Sequence, residues 1–235
     1  SDTDFSGSQF LNCVVTGADL RGVVIVSGVL AGADLRACKL RAAAIVQTAL
    51  IDCNAEGVDF RGCDLSDSAF TNANLERADL REVLAEQATF IGANLKAANM
   101  RGMYAPSADF SGATLDSADL TEADMRETTW LAATMRMARA SKVVLTQANM
   151  DGADLSGTLF GGAQLQRANL AHAVLTACDL RGASLRHSDL HETLLDNASV
   201  DLADTWGATG TVASRSRAEK FDPKAAMKTK SKGRR

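Results

Sequence analysis

A five-residue period runs through this chain without a break from Phe5 to Val200. An apolar residue, which we call the centre, falls at every fifth position, and of the forty centres twenty are Leu and seven are Phe. A period of five fits neither the 3.6-residue repeat of a helix nor the two-residue repeat of a strand. A three-residue extended segment followed by a two-residue corner does fit it. The sequence therefore predicts a solenoid of short strands and tight corners.

The residues around each centre support this interpretation. Of the forty residues two positions before a centre, 34 are Ala, Cys, Ser or Thr, and positions two apart in an extended segment share a face. Of the 18 glycines, 13 lie two positions after one of these centres, where a type II turn requires a positive φ. Pro106 occupies the first corner position, which proline favours. The apolar phase and the corner residues predict the same structure.

Several units resemble the A(D/N)LXX repeat of the pentapeptide-repeat family, among them Ala18-Asp19-Leu20, Ala93-Asn94-Leu95 and Ala168-Asn169-Leu170. The resemblance covers residues 3–202. It implies an all-β fold, a right-handed quadrilateral parallel β-helix with about ten coils and a length of roughly 48 Å. We expect this β-helix over residues 1–202, a C-terminal cap or short helix over 203–222, in which Trp206 covers the last coil, and a disordered basic tail over 223–235.

The coil length implied by the resemblance lets the sequence be read in columns, because residues twenty apart then stack on one another. One column of centres reads Phe70, Phe90, Phe110, Trp130, which predicts an aromatic ladder in the core. Another holds Ala85 and Ala105, where the interior would be underfilled. Their inward partners are the larger Val83 and Met103, which restore the volume that dense packing requires.

The chemistry-bearing residues do not indicate an enzyme. No nucleophile elbow, P-loop, HExxH motif or dinucleotide fingerprint occurs, and we expect no cofactor, no metal and no small-molecule substrate. All five cysteines lie two positions before a centre, which predicts buried reduced thiols. His172 and His191 fall at one corner with Glu192, and we interpret them as solvated corner residues; a surface metal site is the alternative. The five cysteines are Cys13, Cys38, Cys53, Cys63 and Cys178.

The ends of the chain and its compartment are further expectations. There is no signal-peptide pattern and no apolar run long enough for a membrane span, and the cysteine count is odd, so we expect a cytoplasmic protein. The chain begins at Ser1 without Met and is already in phase at Phe5. We therefore expect the C-terminal module of a larger bacterial protein, in which an N-terminal domain precedes Ser1.

An arginine ladder is the first candidate surface. Its arginines occupy one corner column, and four of them have an aspartate two positions earlier in the chain. Two interpretations of this column stay open. The ladder either forms a self-neutralised ion-pair lattice that contributes little per pair, or it binds an acidic partner, with Arg41 and Arg101 the least compensated. The column consists of Arg21, Arg41, Arg61, Arg81 and Arg101, and returns at Arg181.

Aligned apolar residues at outward positions are the second candidate surface. Aligned exposed apolar residues are typical of a contact patch. The partner would be another protein, the chain's own N-terminal domain or a second subunit in a homodimer. One column holds Val24, Ala44, Leu84, Tyr104 and Val144, with Val26, Val29, Val46 and Ile51 nearby; a second column holds Leu11, Ile51, Ile91 and Leu131.

The distribution of charge is the third feature, and it bears on which of three functions the chain has. Residues 1–200 hold 16 Lys or Arg and 25 Asp or Glu, or −9, whereas residues 201–235 hold nine and four, or +5. We favour a non-enzymatic protein-interaction scaffold. The resemblance also allows a DNA mimic that binds DNA gyrase, since residues 109–127 are strongly acidic. The third possibility is a rod that its tail tethers to nucleic acid or an anionic membrane, through Lys224, Lys228, Lys230, Lys232, Arg234 and Arg235.

Overall fold

The computed structural model describes residues 3–210, and in that range the backbone repeats every twenty residues. Parallel bridges join residues twenty apart from Asp4–Val24 to Asp189–Thr209. This described range contains two regular strands, β1 (Val24–Val26) and β2 (Ala44–Val46), and they pair in parallel. No stretch of residues 3–210 forms a helix that is long and apolar enough to cross a membrane. The fold is a β-helix solenoid.

Hydrogen bonds between coils and within corners generate this shape. The Leu75 amide donates to the Asn94 carbonyl at 2.7 Å, and the Arg77 amide to the Lys96 carbonyl at 2.9 Å. Within the same unit the Ala78 amide donates to the Leu75 carbonyl at 3.0 Å and closes the corner. Each unit therefore closes its own turn while it pairs with the next coil.

The second corner position has a positive φ throughout, whether or not it holds glycine. The angle lies between 49° and 75° at these positions, for example 65° at Gly62 and 56° at Arg77. Glycine adopts this conformation freely, whereas other residues incur roughly 1–2 kcal/mol. The hydrogen bonds of the corner offset that cost, which is why the corner tolerates Arg77. The turn predicted from the glycines is confirmed, and it extends to residues that the glycines did not mark.

The Asp or Asn of each unit stabilises the corner that follows it. The Asp64 carboxylate accepts from the Ser66 amide at 3.0 Å, and the Asn74 side-chain oxygen accepts from the Glu76 amide at 3.2 Å. Such a bond to the amide two residues on mimics a backbone turn. This bond accounts for the D/N position of the repeat.

The aromatic ladder expected in the core is confirmed. Ring centroids are 5.1 Å apart for Phe70 and Phe90, 4.9 Å for Phe90 and Phe110, and 4.4 Å for Phe110 and Trp130. The planes are within 13° of parallel, and all four side chains are fully buried. The Trp130 indole N–H donates to Thr128 Oγ1 at 2.8 Å, so the ladder leaves that donor satisfied.

The exchange of volume between neighbouring inward positions is confirmed as well. Val83, Ala85, Met103 and Ala105 are all 0% exposed. The larger side chains at Val83 and Met103 occupy the space that the two alanine centres leave. The core stays closed where its usual large residues are missing.

At the C-terminal end the repeat runs further than expected. Bridges continue to Asp189–Thr209, and Thr205 is buried at the next centre position, so the expected end of the phase at Val200 is wrong. Trp206 does not cover the last coil; it lies on an exposed corner. The cap or helix expected over 203–222 falls mostly outside the described residues, and so does the basic tail over 223–235.

Candidate functional site

One corner of the solenoid has a different backbone from the rest. At β1 and β2 the usual amide-to-carbonyl turn bond is replaced by bonds to buried hydroxyls. The Gly28 amide donates to Thr48 Oγ1 at 3.3 Å, and Thr48 Oγ1 donates to the Ile25 carbonyl at 3.0 Å. One coil further, the Thr48 amide donates to Ser68 Oγ at 3.0 Å, and Ser68 Oγ donates to the Ile45 carbonyl at 2.7 Å. The two strands therefore extend through the first corner position, Val26 or Val46, before the positive φ of Ser27 or Gln47.

Apolar side chains cover the outside of this extended corner. Val24 pairs with Ala44 and Val26 with Val46 across the two strands, and Val29 lies on the adjoining face. All five are half-buried. We call this set the valine corner: Val24, Val26, Val29, Ala44 and Val46.

The remaining apolar candidates are exposed, but they lie apart from the valine corner. Leu84 and Tyr104, 48% and 41% exposed, are adjacent to each other, and Asp64 separates them from Ala44 in the column of bridges. Ile51 belongs to the other predicted column, whose four members are all exposed. Smaller or polar residues alternate with them there. The structure thus brings Val24, Val26 and Val46 together and leaves Ile51, Leu84 and Tyr104 outside that patch.

The arginine ladder is largely neutralised by its own aspartates. In four pairs of the ladder the guanidinium donates two hydrogen bonds to the carboxylate, with Nη2–Oδ2 at 2.6 Å and Nε–Oδ1 at 2.8 Å. The Arg21 hydrogen bonds lower the pKa of Asp19 to about 2. We call these pairs the forks: Arg21–Asp19, Arg61–Asp59, Arg81–Asp79 and Arg181–Asp179.

The two arginines without a preceding aspartate behave differently from each other. Arg101 binds Glu122 of the next coil at 3.0 Å, so the expectation that Arg101 is poorly compensated is wrong. Arg41 makes no ion pair within 4.0 Å with any residue in 3–210. The pKa of Asp59 is lowered mainly by its hydrogen bonds from Arg61 and further by the charge of Arg41. Arg41 is therefore the ladder member whose guanidinium remains available.

The acidic stretch over residues 109–127 carries less uncompensated negative charge than its sequence indicates. Asp116 binds Arg136 at 2.8 Å, and Glu122 lies 3.7 Å from Lys142 in addition to its contact with Arg101. These cations come from neighbouring coils, so a linear count misses them. The acidic surface is in part neutralised.

The histidine corner contains two imidazoles and two carboxylates. His172 Nδ1 lies 2.8 Å from the Asp151 carboxylate, which raises the pKa of His172. Glu192 lies 3.8 Å from His172 and 3.7 Å from His191. Across residues 3–210 no group of three or more His, Cys, Asp or Glu side chains is arranged to hold a metal ion.

The cysteine prediction is confirmed for the core. All five are free thiols, four of them buried and Cys13 half-buried. Burial raises the pKa of Cys53, Cys63 and Cys178 to about 12. The Cys63 thiol donates to the carbonyl of Leu40 at 2.8 Å. These thiols are structural groups of the interior.

The fold and its unit define the family. A sequence profile described as pentapeptide repeats matches the chain in eight copies, over residues 29–67, 63–102, 90–129, 132–162 and 163–199. The chain belongs to the pentapeptide-repeat family. Proteins of this family are in general structural or interaction proteins rather than enzymes.

Solved structures of similar proteins come from several biological settings. HetL, a pentapeptide repeat protein involved in heterocyst differentiation regulation from the cyanobacterium Nostoc sp. strain PCC 7120, is 24% identical, with 88% of this chain and 86% of that chain covered and a TM-score of 0.48. A trypsin-treated variant of QnrB1, a plasmid-mediated fluoroquinolone resistance protein, is 16% identical, with 88% and 89% covered and a TM-score of 0.49. A pentapeptide repeat protein of the Arabidopsis thaliana thylakoid lumen is 30% identical, with 52% and 71% covered and a TM-score of 0.25. No curated protein sequence matches the chain.

Proposed function

We propose that this protein is a non-enzymatic interaction scaffold, a right-handed rod of about ten coils and roughly 48 Å, and that it docks a protein partner on its side. The valine corner is the contact surface. The five free thiols support localisation in a reducing compartment, the cytoplasm.

The valine corner carries this proposal because two independent features coincide there. Its backbone is extended by Thr48 and Ser68, and its outer side chains are apolar. Along the same columns the following coils carry polar residues, for example Asp64 and Ser66. Interfaces between proteins combine an apolar centre with a polar rim. The patch matches that pattern.

The rim indicates the chemistry of the partner. Arg41 lies three residues before Ala44 and makes no ion pair within 4.0 Å among residues 3–210. Its guanidinium can therefore bind a carboxylate bidentately. We infer a partner with an apolar centre beside an Asp or Glu. An exposed charge at the rim contributes mainly to specificity and to the rate of association.

Affinity capture with a matched control tests the docking surface. The double variant Val26→Lys, Val46→Lys should fold and lose a partner that the parent captures from its native extract. The control Thr89→Lys, Thr129→Lys adds the same charge at half-buried positions further along the column of Val29, outside the valine corner, and should retain it. Arg41→Glu should weaken capture of the same protein. Identical capture by parent and valine-corner variant would contradict the proposal, and light scattering of both shows whether the partner is a second copy.

A DNA mimic that binds gyrase has weaker support, because arginines of neighbouring coils neutralise part of the acidic stretch. A supercoiling assay separates the two functions. The proposed scaffold should leave gyrase activity and its quinolone sensitivity unchanged. Inhibition or protection of gyrase would favour the mimic instead.

A further inference from the structure

One face of the solenoid carries almost no charge. Each twenty-residue repeat of the backbone contains four five-residue units, and units that are twenty residues apart stack into one face. The outward residues of a unit are those directly before and directly after its centre. On the face whose centres run from Leu30 to Trp130, one of the twelve outward residues is charged. We call these twelve the low-charge face: Val29, Ala31, Ala49, Ile51, Ala69, Thr71, Thr89, Ile91, Asp109, Ser111, Thr129 and Leu131.

The other three faces are much more charged over the same coils. Among twelve outward positions each, they hold four, seven and nine charged residues over residues 24–126, 34–136 and 39–141. The one charge of the low-charge face is bound within its own unit, because the Asp109 carboxylate accepts from the Ser111 amide at 2.8 Å and from the Ser111 hydroxyl at 2.6 Å. Depletion of charged residues is typical of the centre of a protein interface.

Large and small side chains alternate along the low-charge face. Ile51, Ile91 and Leu131 are 37%, 40% and 42% exposed. The equivalent residues of the coils between them are small and half-buried: Ala31, Thr71 and Ser111. Coils stack at about 4.8 Å, so the three protruding side chains stand about 9.6 Å apart. The aromatic ladder provides the centres of four of these units, and its rings lie within 13° of parallel, which keeps the rows in register.

We propose that the low-charge face pairs with the same face of a second copy of this chain, with the two rods antiparallel. The protruding side chains require a partner with recesses every two coils, and a second copy has that spacing. A two-fold axis that crosses the face between Thr71 and Ile91 places every large residue opposite a small one. A two-fold interface needs this self-complementarity. The opposed pairs, each between the two copies, are Ile91–Thr71, Ile51–Ser111 and Leu131–Ala31.

This dimer does not rest on the proposed function. Val26 and Val46 lie on the adjoining face, and the valine corner meets the low-charge face at Val29. The six coils of the low-charge face span about 29 Å of the rod, which makes a small interface. Small interfaces are typical of weak association, so we expect a dissociation constant in the micromolar range.

Sedimentation velocity of the full chain over a concentration series tests the dimer. The parent should shift from monomer to dimer, and Ile51→Lys with Ile91→Lys should weaken the dimer at least about tenfold, because unpaired charges are then buried. The control Thr121→Lys, Ser141→Lys adds the same charges at the equivalent positions of the opposite face and should dimerise as the parent does. Circular dichroism of all three checks that they fold.

Two existing variants separate this inference from the proposed function. Thr89→Lys with Thr129→Lys should weaken the dimer and keep the partner of the valine corner. Val26→Lys with Val46→Lys should lose that partner and keep the dimer. Loss of both properties in either variant would contradict the separation of the two surfaces.

A charge pair tests the antiparallel order. Residues 51 and 111 are three coils, about 14 Å, apart within one chain, which is too far for an ion pair, but they are opposed in the dimer. Ile51→Lys and Ser111→Glu should each weaken the dimer, and the double variant should recover much of that loss. The inference is overturned if the parent stays monomeric at every concentration, if Ile51→Lys with Ile91→Lys dimerises as tightly as the parent, or if the charge pair binds no more tightly than its weaker single variant.

Discussion

At the scale of the residue, the small inward position, two residues before each centre, also takes part in hydrogen bonding. The Leu40 carbonyl accepts the corner amide of Ala43 at 3.0 Å and the thiol of Cys63 at 2.8 Å. Ser68, Thr193 and Cys178 make the same bond to a carbonyl 23 residues earlier. A carbonyl oxygen has two lone pairs, so an alanine at this site leaves it with the corner bond alone. This explains why Ala exchanges with Ser, Thr and Cys there.

Ser68 should be the most sensitive of these small residues. Its hydroxyl accepts the Thr48 amide at 3.0 Å, and Thr48 is only 1% exposed. Ser68→Ala leaves that buried amide without an acceptor, which costs about 1–3 kcal/mol. The free energy of unfolding, measured by urea titration followed by circular dichroism, should fall by this amount.

Ser188→Ala is the matched control for Ser68→Ala. The Ser188 hydroxyl donates to the Leu185 carbonyl at 2.8 Å, while the Ser188 amide keeps its own corner bond to that carbonyl at 3.2 Å. This variant loses one hydrogen bond and leaves no buried amide without an acceptor. The free energy of unfolding should therefore fall by about 0.5–1.5 kcal/mol. Equal losses in the two variants would show that Ser68 does not support the extended corner.

The residues that the sequence predicted and those that it missed differ in how far their partners lie along the chain. Asp19 and Arg21 are two residues apart on one side of an extended segment, so their pairing is visible in the sequence. Arg101 and Glu122 meet only once the coil register is known, and so do Thr48 and Gly28. The extended form of the valine corner could not be predicted, because hydroxyls of following coils produce it.

At the scale of the element, the aromatic ladder is an unbroken stack of four rings in the core. Phe90 stacks between Phe70 and Phe110 and is fully buried. Parallel-displaced rings contribute about 0.5–1.5 kcal/mol per pair beyond the area they bury. Because each coil contacts only its neighbours, as in other repeat proteins, a gap in this column weakens two coil interfaces at once.

Phe90→Ala should therefore be among the most damaging single substitutions in the rod. Removal of a buried phenyl ring destabilises a protein by about 3–5 kcal/mol, and Phe90→Leu, which keeps most of the volume, should cost clearly less. Phe5→Ala provides the comparison, since Phe5 lies in the first coil and is only half-buried. Unfolding by guanidinium chloride measures all three. A loss for Phe90→Ala no larger than that for Phe5→Ala would contradict the role assigned to the ladder.

At the scale of the whole molecule, the repeat makes the fold far more predictable than the surface. Forty centres in one phase identify the core, and the bridges at twenty-residue spacing follow the same register. Function depends on the outward positions, which the repeat leaves free to vary. The valine corner differs from the rest of its columns in only a few residues.

The forks run along one side of the rod, so their protonation affects the molecule as a whole. Hydrogen bonds from Arg61 and Arg181 lower the pKa of Asp59 and Asp179 below the ordinary value of 3.8, and the pKa of Asp19 falls to about 2. A carboxyl with a lower pKa in the folded state adds stability above its unfolded pKa. That stability disappears as the pH falls through the folded pKa, because the unfolded chain then binds more protons.

Acid should therefore destabilise the rod mainly between pH values of about 4 and 2, and removal of fork carboxylates should flatten that loss. In Asp59→Asn, Asp179→Asn the free energy of unfolding should change less over this interval than in the parent, while the difference between the two proteins is constant above a pH of about 5. Urea titrations at a series of pH values give both curves. The control Asp67→Asn removes a carboxylate that makes no ion pair within 4.0 Å among residues 3–210, and it measures the effect of losing a negative charge outside the forks. Because the forks are exposed, added salt should reduce the difference at neutral pH. Parallel curves for parent and double variant down to a pH of about 2 would mean that the forks do not couple protonation to folding, and that the lattice serves recognition or solubility instead.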